Sequence, residues 1–184
     1  MSGGAALYTA KKVLNASPKR VVLSGPSGFV GSRVLDELIL NHQMRLKYGV
    51  EPGEIVLLSA NPGSLMKRLA KRYGEEKMRT LRASRVDYYT QHSRDVWIDH
   101  LGALGCGDGD ENVFINLAAV AGPVQDKPDA MQSVNYSAAV AAAAAAKHLG
   151  FSHFIQSSTQ ATNTERAGQV NVPNYICILI INVL

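Results

Sequence analysis

Cysteine is scarce: Cys106 and Cys177 are the two in 184 residues, and they form no Cys-x-x-Cys pair. That excludes a disulfide scaffold and a cysteine-rich zinc site, so no metal is expected. The pattern suits a reducing compartment. Long apolar runs are missing too. The longest, Ala138–Ala146 and Tyr175–Leu184, fall well short of the ~20 residues a membrane span needs, so no membrane partner is expected. The N-terminus lacks the apolar region of a signal peptide and has no acidic residue before Asp36. It carries Lys11, Lys12, Lys19 and Arg20 instead. A cytoplasmic location is expected, with organelle targeting left open by that basic, acid-free start.

Charge of one sign is not dominant either. Lys+Arg is 19 against 15 for Asp+Glu, a net of +4, which makes no case for nucleic acid. Eight basic residues do cluster between 67 and 85: Lys67, Arg68, Lys71, Arg72, Lys77, Arg79, Arg82 and Arg85. Glu75 and Glu76 interrupt them and no aromatic platform is interleaved, so the cluster reads as a solvated face. One or two of its members are free to serve a phosphate.

The chain is 46% hydrophobic and 18% charged, the balance of a globular protein with one domain, or one domain and a fragment. After a small-residue lead-in over 1–19, strand and helix signals alternate five times. The short apolar β-branched run Arg20–Ser24 reads as a buried strand. Val30, Val34, Leu35, Leu38 and Ile39 then repeat at helical spacing, with Asn41-His42 as the expected stop. Strands are expected at Glu54–Ser59, Ala83–Tyr89, Asn112–Ala119 and Ser152–Ser157. Helices are expected after Asn61-Pro62, at Arg94–Leu104 and from about Ala130 to His148. The alanine tract suits a helix lying close against a sheet. This order predicts a doubly wound α/β fold, a parallel sheet with helices on both faces.

The strongest chemical signal is Ser24-Gly25-Pro26-Ser27-Gly28-Phe29-Val30-Gly31-Ser32, directly after the first strand and opening the first helix. A bound pyrophosphate needs backbone N–H groups aimed at it and nothing in the way. Gly25 permits the tight turn, Gly28 the close approach, and Gly31 the packing of helix on strand. The helix N-terminus adds about half a positive charge. A triphosphate P-loop would close on Gly-Lys-[Ser/Thr], and Gly31-Ser32-Arg33 does not.

The segment Gly25–Gly31 resembles the Gly-Ala-Thr-Gly-Phe-x-Gly loop of the extended and atypical short-chain dehydrogenase/reductase superfamily, the NAD-dependent epimerase/dehydratase type. Asn116-Leu117-Ala118-Ala119 is similar to the family's strand end along the cofactor, and Val134-Asn135 to its Val-Asn. Phe154-Ile155-Gln156-Ser157-Ser158-Thr159 is similar to its Phe-x-x-Ser-Ser-[Ser/Thr]. The resemblance implies a Rossmann-like sheet of five strands in the order 3-2-1-4-5, incomplete at the C-terminal end. It implies an NAD(P) site at Gly25, Ser27, Gly28, Phe29, Val30, Gly31, Asn61, Asp87, Leu117, Ala118, Ala119 and Ser157, with Asp87 at the adenine. The second strand ends Leu58-Ser59-Ala60-Asn61-Pro62 with no carboxylate to take the ribose hydroxyls, and Lys67, Arg68, Arg82 and Arg85 follow. NADP is therefore favoured over NAD.

In that family a Ser/Thr after the fifth strand orients the substrate, and a Tyr with a Lys four residues on moves the proton. Thr159 matches the first position, with Ser158 as its fallback. Tyr175 is the next Tyr, but Leu179 stands where Lys should be, and no Lys follows Lys147. The Tyr-x-x-x-Lys pair is absent, so the chain is expected to turn over nothing. His148 and His153 read as structural or surface residues.

The domain reading is a lead-in over 1–19, an NAD(P)-binding domain over 20–169 and an apolar tail over 170–184. Gln169-Val170-Asn171-Val172 can be encoded as CAG|GTAAATGTN, the pattern of a splice donor. The expectation is that the tail translates a retained intron and the chain is the cofactor half of a longer enzyme. A transcript joining these codons to coding exons alone would sink it. A further expectation is a fifth strand with apolar surface, an open edge and poor solubility. The complete protein would transfer hydride between NAD(P) and a small carbonyl or alcohol. The alternative is a non-catalytic dinucleotide-binding sensor or partner-binding module. Substrate and oligomeric state are not legible.

Overall fold

The computed structural model describes residues 18–47, 52–107, 111–120, 128–159 and 176–182. The order of elements is β1 (Arg20–Ser24), α1 (Phe29–Lys47), β2 (Glu54–Ser59), α2 (Pro62–Tyr73) and a 3-10 turn (Glu76–Met78). Then come β3 (Leu81–Arg85), α3 (Arg94–Ala103) and β4 (Asn112–Asn116). A short helix α4 (Pro128–Met131), a π-helical segment (Gln132–Ala138), α5 (Ala139–His148), β5 (His153–Thr159) and β6 (Ile176–Asn182) complete it.

One sheet runs β3-β2-β1-β4-β5-β6. The first five strands are parallel, in the expected order 3-2-1-4-5. β1 is central, with Val21 in register with Ile55 on one side and Val113 on the other. Both of its faces are covered, Val22 entering one core and Leu23 the other, which explains why it is an apolar run instead of an alternating one. The pleat sends successive side chains to opposite faces. Val22, Val56, Leu58, Phe114 and Phe154 join Trp97, Leu101 and the alanines of α5 in one core. Leu23, Ile55 and Leu57 join Leu35, Ile39, Leu65 and Leu69 of α1 and α2 in the other. Ala141, Ala142, Ala145 and Ala146 are buried, and their small side chains let α5 settle against Phe114, Phe151 and Phe154. Each large side chain removed from water here contributes roughly 1.5–3 kcal/mol.

β1 and β2 match their expected bounds, as does the start of α2, where the Asn61 side chain accepts from the Ser64 N–H at 3.1 Å and Pro62 opens the helix. The differences are local. α1 runs on past Asn41-His42 to Lys47, because tertiary contacts override weak propensity: the His42 ring bonds Thr80 Oγ1 at 2.8 Å and Arg45 is buried. β3 spans Leu81–Arg85 instead of Ala83–Tyr89, since pairing with β2 (Ile55 with Leu81, Ser59 with Arg85) sets its register. β4 stops at Asn116, and β5 begins and ends later than expected.

The main correction concerns the tail. The expected open edge of β5 is occupied: β6 pairs with it antiparallel, from His153 with Asn182 to Thr159 with Ile176. A β-branched apolar run beside an unpaired strand has its backbone groups satisfied this way.

Candidate functional site

Parallel strands deliver their C-terminal ends to one rim. That rim carries the loop after β1, Ser59–Asn61 after β2, Val86-Asp87 after β3, Leu117–Ala119 after β4 and the end of β5. β1 has β2 on one side and β4 on the other, so the order of connection reverses beside it, and the crevice at such a switch point is where open α/β sheets hold ligands.

The glycine loop is built by contact. Gly25 has φ +66°, and a Cβ there would meet the Leu117 carbonyl oxygen at 2.7 Å and the Ala118 nitrogen at 2.8 Å. A Cβ on Gly31 would meet the Gly25 carbonyl oxygen at 2.0 Å. Gly28 differs, because its Cβ would find only the Gly25 oxygen at 3.4 Å. Gly25 and Gly31 are therefore required by the fold and Gly28 is not. Gly28 N–H donates to Gly25 O at 3.1 Å, and Ser32 N–H to Gly28 O at 2.9 Å, so the loop leads straight into α1. α1 has no acidic residue in its first turn to compete with an anion.

Beneath the loop lies a polar hub that sequence reasoning missed. Ser24 is fully buried. Its hydroxyl donates to Asn116 Oδ1 and accepts from the Leu117 and Ala118 N–H groups, both at 3.0 Å. Asn116 Nδ2 donates to Gln156 Oε1 at 2.7 Å, and Gln156 Nε2 to Ser157 O at 2.8 Å. One network thus ties the ends of β1, β4 and β5. A serine closing an apolar strand before the glycine was its available signal. Asn135 secures the next stretch: it accepts from Val120 N–H at 2.7 Å and donates to Val120 O at 2.9 Å. Asn135 lies in the π-helical segment, whose wider turn departs from α-helical spacing.

The structure brings most of the proposed cofactor residues to this rim. Ser27, Gly28 and Phe29 are exposed on the loop, Phe29 at 84%, and Val30 is half-buried. Leu117 and Ala118 are half-buried, and Ala119 is exposed. Ser157 Oγ donates to Asn116 O at 3.4 Å. Asp87 is exposed, and its Oδ1 accepts from Tyr89 N–H at 3.0 Å. Asn61 is at the rim with its side-chain oxygen engaged in capping α2. Ser158 and Thr159 close β5, in register with Cys177 and Ile176. Tyr175 lies outside the described residues, as do the splice-like residues 169–172. His148 and His153 are exposed.

The basic candidates separate. Arg82 is at the far end of the sheet, held by Glu54 at 3.1 Å, so it cannot serve this rim. Arg72 is engaged by Asp36 at 2.8 Å. Arg68 has no ion pair among the described residues and lines a cleft of about 200 Å³ with Pro26, Ser27, Ser32 and Tyr73. Burial and the Asp36 carboxylate push the Tyr73 phenol up to about 12, so it stays a neutral donor. Arg85 is exposed, in register with Ser59. Cys106 is buried, and burial raises its thiol, which makes it no nucleophile. Among the described residues no cluster of His, Cys, Asp or Glu could hold a metal ion, and no helix is long and apolar enough to cross a membrane.

No family model matches the chain, and no curated protein sequence does. Solved structures do. UDP-glucose 4-epimerase from Thermotoga maritima, solved with UDP-glucose, aligns with a TM-score of 0.51 at 17% identity, over 76% of this chain and 38% of that one. MoeE5 in complex with UDP-glucose and NAD aligns at 0.52 and 18%, over 77% and 36%. The chain thus shares the fold of these solved proteins. NADPH-bound carbonyl reductase from chicken fatty liver makes the same point at 0.50 and 15%, over 72% and 48%. The chain spans less than half the length of each of these structures. The resemblance read from the glycine loop thus holds at the level of the fold.

Proposed function

We propose that this chain is the dinucleotide-binding part of an NAD(P)-dependent oxidoreductase or epimerase of the short-chain dehydrogenase/reductase superfamily. One observation carries the reading: a loop whose glycines at 25 and 31 are demanded by backbone contacts, while Gly28 has room for a methyl group. A glycine where the fold does not need one is explained by a ligand that approaches the backbone there. The pyrophosphate would lie on the Phe29 and Val30 amides at the start of α1, with adenine toward Asp87 and the nicotinamide end toward Leu117–Ala119. The dinucleotide supplies hydride transfer, and the protein supplies its orientation.

NADP is the preferred form. Arg68 beside Ser27 would face a 2′-phosphate, and no carboxylate at Ser59–Asn61 repels it. Thr159 or Ser158 would orient the substrate oxygen of a small carbonyl or alcohol in the complete enzyme. The segment 20–169 is the cofactor unit in this reading, and 170–184 is not part of the catalytic design. A second reading, a non-catalytic dinucleotide sensor, draws on Leu179: it falls in β6 opposite Gln156, where a proton-moving pair would need Lys.

Calorimetric titration of NADPH into the chain and into Gly28→Ala is the test. The substitution is expected to leave the thermal midpoint within about 2 °C, by the size scaling for chains of this length. Affinity should fall at least tenfold, about 1.4 kcal/mol. Equal affinity in the two proteins would remove the reading.

A further inference from the structure

The outer face of α1 carries apolar surface and charge in an order that is complementary to itself. The buried Gly31, Leu35, Ile39, His42 and Arg45 share the inner side of the helix. Opposite them, Glu37, Leu40, Met44 and Lys47 follow at steps of three, four and three residues, within about 80° of arc at 3.6 residues per turn. All four are exposed, Leu40 at 55% and Met44 at 45%. Neither of these apolar side chains belongs to either core. The other charges of the helix are engaged: Arg72 and Tyr73 bond to Asp36, Arg33 lies 4.0 Å from Asp36, and Arg45 is buried. Glu37 and Lys47 make no ion pair among the described residues.

We propose that two copies of this chain pair through α1, antiparallel, about a twofold axis that passes beside position 42. Positions equally far before and after 42 then face each other across the axis. Leu40 packs on Met44 of the second copy, and Met44 on Leu40 of the second copy. Glu37 meets Lys47 at one end of the contact, and Lys47 meets Glu37 at the other. A patch complementary to itself is what a twofold dimer requires, since every contact occurs twice. The charges select the direction. A parallel pair would set Glu37 against Glu37 and Lys47 against Lys47, and facing like charges suppress a pairing. The spacing selects the packing, because steps of three and four make the narrow seam of a two-helix contact instead of the wide stripe of a helix on a core. The stretch 37–47 is about 16 Å long. So small a contact gives a weak dimer, with a dissociation constant on the order of 100 µM. The contact starts two turns beyond Phe29, where the glycine loop enters α1, so it leaves the rim open and does not rest on the cofactor reading.

Sedimentation velocity of the full chain at low salt, from about 5 to about 500 µM, tests the pairing. The unmodified chain is expected to pass from monomer to dimer over that range. Leu40→Gln/Met44→Gln should weaken the dimer at least tenfold and leave the thermal midpoint unchanged, because these side chains lie outside both cores. Glu37→Lys and Lys47→Glu should each weaken self-association at least tenfold, because like charges then face each other at both ends of the contact. An equimolar mixture of these two single variants should regain the dimer, because every facing pair is again of opposite sign. A chain that stays monomeric throughout would overturn the proposal. So would association that survives Leu40→Gln/Met44→Gln, or a mixture no more dimeric than either variant alone.

Discussion

Gly31→Ala sets two known effects against each other. In a helix interior the change normally gains up to about 1 kcal/mol, from lower backbone entropy in the unfolded chain. At position 31 the added Cβ would lie 2.0 Å from the Gly25 carbonyl oxygen, 2.9 Å from the Gly25 carbonyl carbon and 3.1 Å from the Pro26 Cα. All three are backbone atoms, so no side chain can swing aside. Relief requires the loop to move by more than an ångström, against the Leu117–Ala118 backbone on which Gly25 already rests. Overpacking of this kind costs about 1–3 kcal/mol, and at the upper end when the obstacle is backbone. The net expectation is a loss of about 2 kcal/mol, or roughly 4–8 °C in Tm for a chain of this length. Gly102→Ala in α3 is the control, because nothing lies within 4 Å of its added Cβ. It should gain about 0.5–1 kcal/mol. Thermal melts followed by far-ultraviolet circular dichroism read both. A Gly31→Ala midpoint at or above that of the unmodified chain would refute the packing argument.

Three other outcomes follow from the same structure. Arg68→Ala should cut NADPH affinity about tenfold and leave NADH unchanged, read by parallel titrations; equal losses for both would move the 2′-phosphate elsewhere, Arg85 being next. Ser24→Ala should cost about 2–4 kcal/mol, because it strands the Leu117 and Ala118 N–H groups and Asn116 Oδ1, and a urea midpoint within error of the unmodified chain would contradict the hub. His42 titrates near 4 instead of 6.5, because burial and then the Arg45 charge disfavour its protonated form. The unfolded chain therefore takes up a proton first, and stability should fall as pH drops from about 6.5 to about 4, by at most about 1.4 kcal/mol per unit. His42→Gln should flatten that part of the profile, and an unchanged slope would assign it to carboxylates.

Where the chain's own local chemistry decided the structure, the sequence was enough. The β-branched runs at 20–24 and 54–59 could only be buried strands, Asn61-Pro62 could only start a helix, and three glycines after a strand marked the loop. What escaped was set by partners distant in the chain. α1 extends to Lys47 because Thr80, 38 residues away, receives His42. β3 is a polar edge strand whose register belongs to β2. The Ile176–Asn182 run looked like a tail because its partner, β5, lies across a long connection and pairs antiparallel. At the site, the glycines were legible and the hub was not. Ser24 bonds to residues 92 to 94 positions away, a distance no spacing pattern reports. Arg82 looked equivalent to Arg68 until its tie to Glu54 placed it at the opposite end of the sheet.

The measurement that tests the central claim most directly is a titration of the isotopically labelled chain with NADPH, followed by amide resonances. The account predicts saturable shifts confined to the rim and to Arg68 beside it: Gly25–Gly31, Ser59–Asn61, Arg68, Val86-Asp87 and Leu117–Ala119. Shifts confined to the basic face over 67–85 that vanish with added salt, or no shifts at all, would contradict it.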